Sequence, residues 1–249
     1  MIDTQHYVSH ELTHFVAKDE SKESEQYSCL LKILQNGWLT HPPHNPNISG
    51  GLSIKLLNQL SDNEVYNPQI VCFCDVPIAD IEFHSKKYSR FGISFLKSFL
   101  IKKGVNPVFY VSKNSMIYVD GEDPMPRSEY YDKKHKQYID FFHGFPEQKS
   151  TAKGWEPIPS LELKYGIKKF EIQKFLAFHL FSFVKFYDDN LPESDPKNYY
   201  MEREWRIIGN LNFALDDVHR IFLPKSYAKR FRKDMPEYEG LVTFITNSH

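Results

Sequence analysis

The chain has 249 residues, of which 41% are hydrophobic, 15% aromatic and 25% charged, enough to bury a real core in one large domain or two small ones. Lys+Arg 31 against Asp+Glu 32 gives a formal net charge of -1, which excludes a global positive field drawing the protein to nucleic acid or membrane and leaves room only for local basic patches. No run of about eighteen apolar residues exists to span a bilayer, and the opening MIDTQHYVSHELTHFV lacks the basic-then-apolar order of a signal peptide. Cys29, Cys72 and Cys74 have no metal-ligand spacing and read as small buried hydrophobes in a reducing compartment, so the expected location is the cytoplasm.

In chain order, residues 12–16 read as a short apolar strand carrying Thr13 and His14. A charged loop at 18–25 precedes a helix over 27–35, with Leu30, Leu31 and Leu34 on one stripe and Asn36-Gly37 as its stop. Pro, Asn and Gly make 41–51 an irregular loop whose His41 and His44 have no partners to complete a metal site. The pattern then predicts a helix at 54–60, a buried strand at 68–77, a helix at 78–87, a strand at 91–96, a helix at 97–103 closed by Gly104, and a strand at 107–112. Many short strands joined by brief helices predict an α+β domain with a mixed or antiparallel sheet.

Residues 120–160 concentrate Pro, Gly, Lys and Tyr and read as an insertion in a single domain spanning 1–249. Lys133, Lys134, Lys136 and Tyr138 have the make-up for base stacking and phosphate contact, and equally for an ordinary amphipathic helix. Residues 166–188 form the longest helical candidate, apolar nearly all round in its second half, which implies burial. An Asp/Pro-rich loop then leads to NYYMEREWRIIGN at 198–210. Read as one strand, this stretch sets Tyr200, Glu202, Glu204, Arg206 and Ile208 on one face and Met201, Arg203, Trp205 and Ile207 on the other. The ordinary reading is a half-exposed strand with a solvated Glu/Arg face. A strand at 218–224, a basic helix at 225–234 (Lys225, Lys229, Arg230, Arg232, Lys233) and a strand at 241–246 complete the chain.

A strand with His14, a strand CFCD followed by Tyr88, and a stretch with Glu202 and Glu204 occur in the order that resembles the ADP-ribosyltransferase superfamily. More specifically, CFCDVPIADIEFHSKKYSRFGISFLK, NPVFYV and YYMEREWRIIGNLNF resemble the AbiGi family of abortive phage-infection proteins, over most of the chain. The superfamily resemblance implies a split mixed or antiparallel sheet with flanking helices, holding NAD as co-substrate without a Gly-rich fingerprint. It implies that Glu204 stabilises an oxocarbenium-like transition state through the ribose hydroxyl, and that Glu202 orients or deprotonates the acceptor. His14 and Thr13 would bind the adenosine-side ribose, Phe73 and Tyr88 would sandwich nicotinamide, and Arg206 would hold a Glu ionised or meet a phosphate. Phe73 departs from the Tyr expected in the poly-ADP-ribose-polymerase-like branch.

The first expectation is therefore an NAD-dependent ADP-ribosyltransferase, a toxin or effector in phage defence acting on RNA or single-stranded DNA and paired with a cognate antitoxin or toxin protein. The second is a non-catalytic antitoxin or regulator that binds a partner protein. A nuclease or other hydrolase using His14 and the carboxylates is the third, and the spacing supplies neither its metal cluster nor its general-base pair.

Overall fold

The computed structural model describes residues 9–246 apart from 18, 19, 21, 49, 145–147, 152, 153, 158–168, 193, 194 and 196. The chain divides into two compact units, one made of Met1–Gly51, Gln69–Val108 and Tyr199–His249, the other of Leu52–Pro68 and Phe109–Asn198.

A seven-stranded sheet organises the first unit. Its strands are β1 (Glu11–Phe15), β2 (Ile70–Cys74), β3 (Gly92–Leu96), β4 (Asn106–Pro107), β5 (Glu204–Ile208), β6 (Val218–Pro224) and β7 (Leu241–Ile245). Their spatial order is β7-β6-β3-β1-β2-β5-β4. Every neighbouring pair is antiparallel except β6 and β7, which run parallel, so the fold is mixed α/β with a mixed sheet.

Alternation along these strands sorts the side chains onto two faces. Leu12, Val71, Phe73, Ile93, Phe95, Ile221 and Leu223 point to one, where they form the main core. Helix α1 (Glu23–Asn36) adds Tyr27, Leu30 and Leu34 to it. After α2 (Ile81–Lys87), α3 (Lys97–Lys102) contributes Leu100 and α4 (Ala228–Asp234) contributes Phe231. Each such side chain stabilises the fold by roughly 1.5–3 kcal/mol on leaving water. Helix α1 stops at Gly37, whose left-handed φ of 66° lets its N–H donate to the Ile33 carbonyl. On the opposite face a smaller cluster joins Phe15, Phe222 and Ile245 to Val76 and to Ile81 of α2.

In the second unit, Leu52–Ile54 pairs antiparallel with Tyr66–Pro68, and Phe109–Ser112 pairs parallel with Val184–Tyr187. The helix Arg127–Gly144 is pinned by polar contacts. Ser61 donates its backbone N–H and its hydroxyl to the Asp132 carboxylate, at 2.8 and 2.6 Å, and the Tyr66 hydroxyl lies 2.9 Å from His135 Nε2. The ring of Tyr138 packs on His135 and Phe181. The segment carrying Lys133, Lys134, Lys136 and Tyr138 is helical.

Three element expectations are corrected. Residues 54–60 are not a helix: Ile54 ends a hairpin strand, and a 3-10 turn follows only at Leu60–Asp62. The apparent strand at 107–112 is two, since Pro107 pairs with Trp205 while Phe109 pairs with Val184. The long helix at 166–188 is a short one, Lys169–Phe175, followed by a wider turn at Leu176–Leu180, a 3-10 turn at Phe181–Phe183 and a strand from Val184. β-Branched and aromatic residues at its end favour the strand, and residues 166–168 lie outside the described residues. Nor is the segment uniformly buried, because Phe170, Phe175 and Leu180 are exposed.

Candidate functional site on one face of the central sheet

The site is set by the register of the three central strands. Thr13 of β1 lies opposite Cys74 of β2, and Cys74 opposite Glu204 of β5, so these three side chains form a row on one face. The adjacent row belongs to the other face: Trp205 lies opposite Phe73, and the His14 ring meets Phe73 edge-on at 5.9 Å between centroids. Thr13, Cys72, Cys74, Glu204 and Arg206 therefore share one face, while His14, Phe73 and Trp205 share the helix-packed one. The expectation that His14 and Phe73 join Glu204 in one cleft is not met. In a pleated strand, adjacent residues cannot point to the same side.

His14 is satisfied where it stands. Its Nδ1 lies 2.8 Å from the Cys72 carbonyl. Burial lowers its pKa, and the carbonyl contact opposes that only in part, so a neutral ring donating from Nδ1 fits the position. Phe73, 1% exposed, packs edge-on against Phe95 as a core ring.

Glu202 reaches the site by a different route from the expected one. Tyr199–Glu202 is a 3-10 turn, Arg203 has φ 44°, and β5 begins only at Glu204, so the alternation read from 200 to 208 holds for its last part alone. Glu202 is nonetheless buried, and its Oε1 accepts from Lys87 Nζ at 2.5 Å and from the Tyr88 hydroxyl. The Tyr88 ring stacks on Phe15 at 5.5 Å. Burial first, then the charge and hydrogen bond of Glu202, then Cys74 and Glu204, hold the Tyr88 hydroxyl far above the ordinary phenol range. Both carboxylates thus act on one phenol, which stays a neutral donor.

Glu204 is buried, and Arg206 grips it at both oxygens, Nε to Oε1 at 2.6 Å and Nη2 to Oε2 at 3.1 Å. On the same face Glu11 accepts from the Ser94 hydroxyl and from Arg220 Nε at 3.1 Å, and Arg220 Nη1 donates to Thr243 at 2.9 Å. Chemically, the carboxylates arrive already matched with cations, and among the described residues no set of three His, Cys, Asp or Glu could hold a metal. Such a cluster orients segments rather than presenting a bare acid or base.

Two participants were not singled out from the sequence. Lys87 binds Glu202, and His84 is buried nearby with no hydrogen-bond partner at Nδ1. Burial lowers the His84 pKa, with Glu202 opposing. His84, Lys87 and Tyr88 fall at helical i, i+3, i+4 spacing, a signal present in FHSKKY.

A family profile described as abortive phage resistance protein AbiGi, antitoxin, matches residues 61–237. The match includes Lys87, Tyr88, Glu202, Glu204 and Arg206 and begins after β1. The abortive phage resistance protein AbiGi of Lactococcus lactis subsp. cremoris is 25% identical over 221 residues, covering 73% of this chain and 78% of that protein. No solved structure matches. Among the described residues no helix is long and apolar enough to cross a membrane.

Replacing Arg206 by Leu leaves Glu204 buried without its cation and is expected to cost about 3–5 kcal/mol in urea unfolding. Arg206→Lys keeps the charge and should cost markedly less; equal losses would contradict the bidentate pair. His14 and His84 bind protons less readily folded than unfolded, so stability is full above the ordinary imidazole range, near pH ~6.5, and falls as pH drops through it. His84→Leu should flatten that fall in the urea midpoint between neutral and mildly acidic pH; an unchanged slope would remove His84 from the explanation.

Proposed function

The chain belongs to the AbiGi family of abortive phage resistance proteins, and from that premise we propose that it serves anti-phage defence as a non-catalytic antitoxin or regulator that binds a cognate partner protein. The observation that carries this reading is the separation of His14 and Phe73 from Glu204 across the sheet. An NAD cleft of the transferase kind needs its His, aromatic and Glu side chains facing one volume, and these residues do not fit that demand. A binding protein, by contrast, gains rigidity from carboxylates answered by Lys87, Arg206 and Arg220.

Two of the side chains expected to meet a nucleic acid are engaged within the chain, which favours a protein partner. Tyr138 is engaged with His135 and Phe181 rather than offered for base stacking, and Arg230 lies over the Tyr27 ring at 4.7 Å while bridging to Asp234.

The transferase reading keeps one supporting observation, the gathering of Thr13, Tyr88, Glu202 and Glu204 near one another on a single face. It would need Thr13 where the ADP-ribosyltransferase superfamily uses His or Arg. The two readings part in one experiment. The protein and its Glu204→Gln variant, shown folded by circular dichroism, are co-produced with the partner toxin in cells, and purified samples are incubated with labelled NAD. Neutralisation retained by Glu204→Gln, with no label transferred by either form, is expected. Label transfer that Glu204→Gln abolishes would establish the transferase instead.

A further inference from the structure

The two edges of the main sheet differ in kind. At one end β4 is two residues long and carries Pro107, a residue that cannot extend a ladder. At the other, β7 has the sequence LVTFI, with no charge, no proline and five residues paired in unbroken register to β6 alone. Alternate backbone N–H and C=O groups of β7 point away from β6, and among the described residues no strand receives them. Leu241 is 48% exposed, Val242 37% and Phe244 38%. Protein sheets blunt such edges with a charge, a proline or a bulge, and an unblunted apolar edge is a template for another strand.

We propose that two copies of this chain associate about a two-fold axis by antiparallel pairing of β7 with β7, centred on Thr243. The strand is complementary to itself in that register. Leu241 falls opposite the mate's Ile245, Val242 opposite its Phe244, and Thr243 opposite its own copy. On the helix-packed face, Val242 and Phe244 of both copies then close into one apolar group of four. On the other face Leu241 meets the mate's strand beside Ile245, which is already 1% exposed in its own chain, and Thr243 accepts from Arg220 Nη1, whose charge Glu11 balances. No like charges meet at the seam, and a net charge of -1 per chain adds little repulsion. The contact is small against the roughly 1,200 Å² of a stable interface, so the dimer dissociates on dilution. This association is independent of whether the site is catalytic.

Sedimentation equilibrium of the full chain over the micromolar range tests the proposal. The wild-type protein should follow a monomer–dimer equilibrium. Val242→Lys with Phe244→Lys sets lysine against lysine twice across the seam and should weaken association about tenfold or more. Val242→Lys with Phe244→Glu sets lysine against glutamate twice and should recover most of it, with circular dichroism confirming that each variant folds. A wild-type chain monomeric at every concentration overturns the proposal. So does a double-lysine variant that dimerises like wild type, or a lysine/glutamate variant no better than the double-lysine one. If the double-lysine variant does not fold, the wild-type equilibrium and the lysine/glutamate variant decide the matter alone.

Discussion

A carboxylate taken out of water needs a cation, and the first unit meets that demand four times on or beside its sheet. Glu11 pairs with Arg220, Asp75 with Lys97 and Arg203, Glu202 with Lys87, and Glu204 with Arg206, all four acids being 3–5% exposed. Three of these pairings join segments far apart in the chain. Glu11 and Arg220 tie β1 to β6, Asp75 and Arg203 tie the end of β2 to the approach of β5, and Lys87 ties α2 to the turn at Tyr199–Glu202. Losing one partner of such a pair leaves a buried charge and costs several kcal/mol, whereas the intact pair adds little net stability over an apolar filling. The pairs therefore act on geometry: they hold the ends of the strands, and with them the register from which the two faces follow.

That register explains why His14 and Glu204 part company. Directly opposed residues share a face, so the row Thr13, Cys74, Glu204 excludes the neighbours His14, Phe73 and Trp205 from its side. A slip of one residue between β1 and β2 would bring His14 to the face of Glu204, but would also turn Leu12 out of the core and Glu11 into it. The apolar set of β1 thus fixes the face of His14 independently of any polar contact.

Local signals in the sequence were sufficient where a strand is decided by its own residues. The strands containing His14, Phe73, Ile93, Ile207, Ile221 and Phe244 were legible because β-branched and aromatic residues alternate within them. Failures came where the deciding fact is distant. Nothing in PVFYVS tells that Pro107 and Phe109 join different ladders, and the apolar run near Phe181 does not show where helix yields to strand. The alternation through Glu202 broke at Arg203, whose positive φ is not written in its residue type. The motif order named Tyr88, Glu202 and Glu204 together, but their burial and the face of His14 were not legible, because parity between strands depends on pairing rather than composition. The FHSKKY spacing of His84, Lys87 and Tyr88 was visible, and it lacked only the partner, Glu202, that gives it meaning.

The relation to AbiGi proteins rests on residues 61–237, which hold α2, β2, β5 and the Glu202, Glu204, Lys87 and Arg206 pairs but not β1. The opposed faces of Thr13 and His14 are therefore the point on which the functional reading turns. Cross-strand oxidation measures them directly. In otherwise unchanged protein, Thr13→Cys should form a disulfide with Cys74 under mild oxidation, counted as lost thiols after unfolding, because directly opposed antiparallel positions satisfy disulfide geometry. His14→Cys should leave Cys74 unbridged. A bridge from position 14 to Cys74, with none from position 13, would place His14 beside Glu204 and contradict the separation on which the binding-protein reading stands.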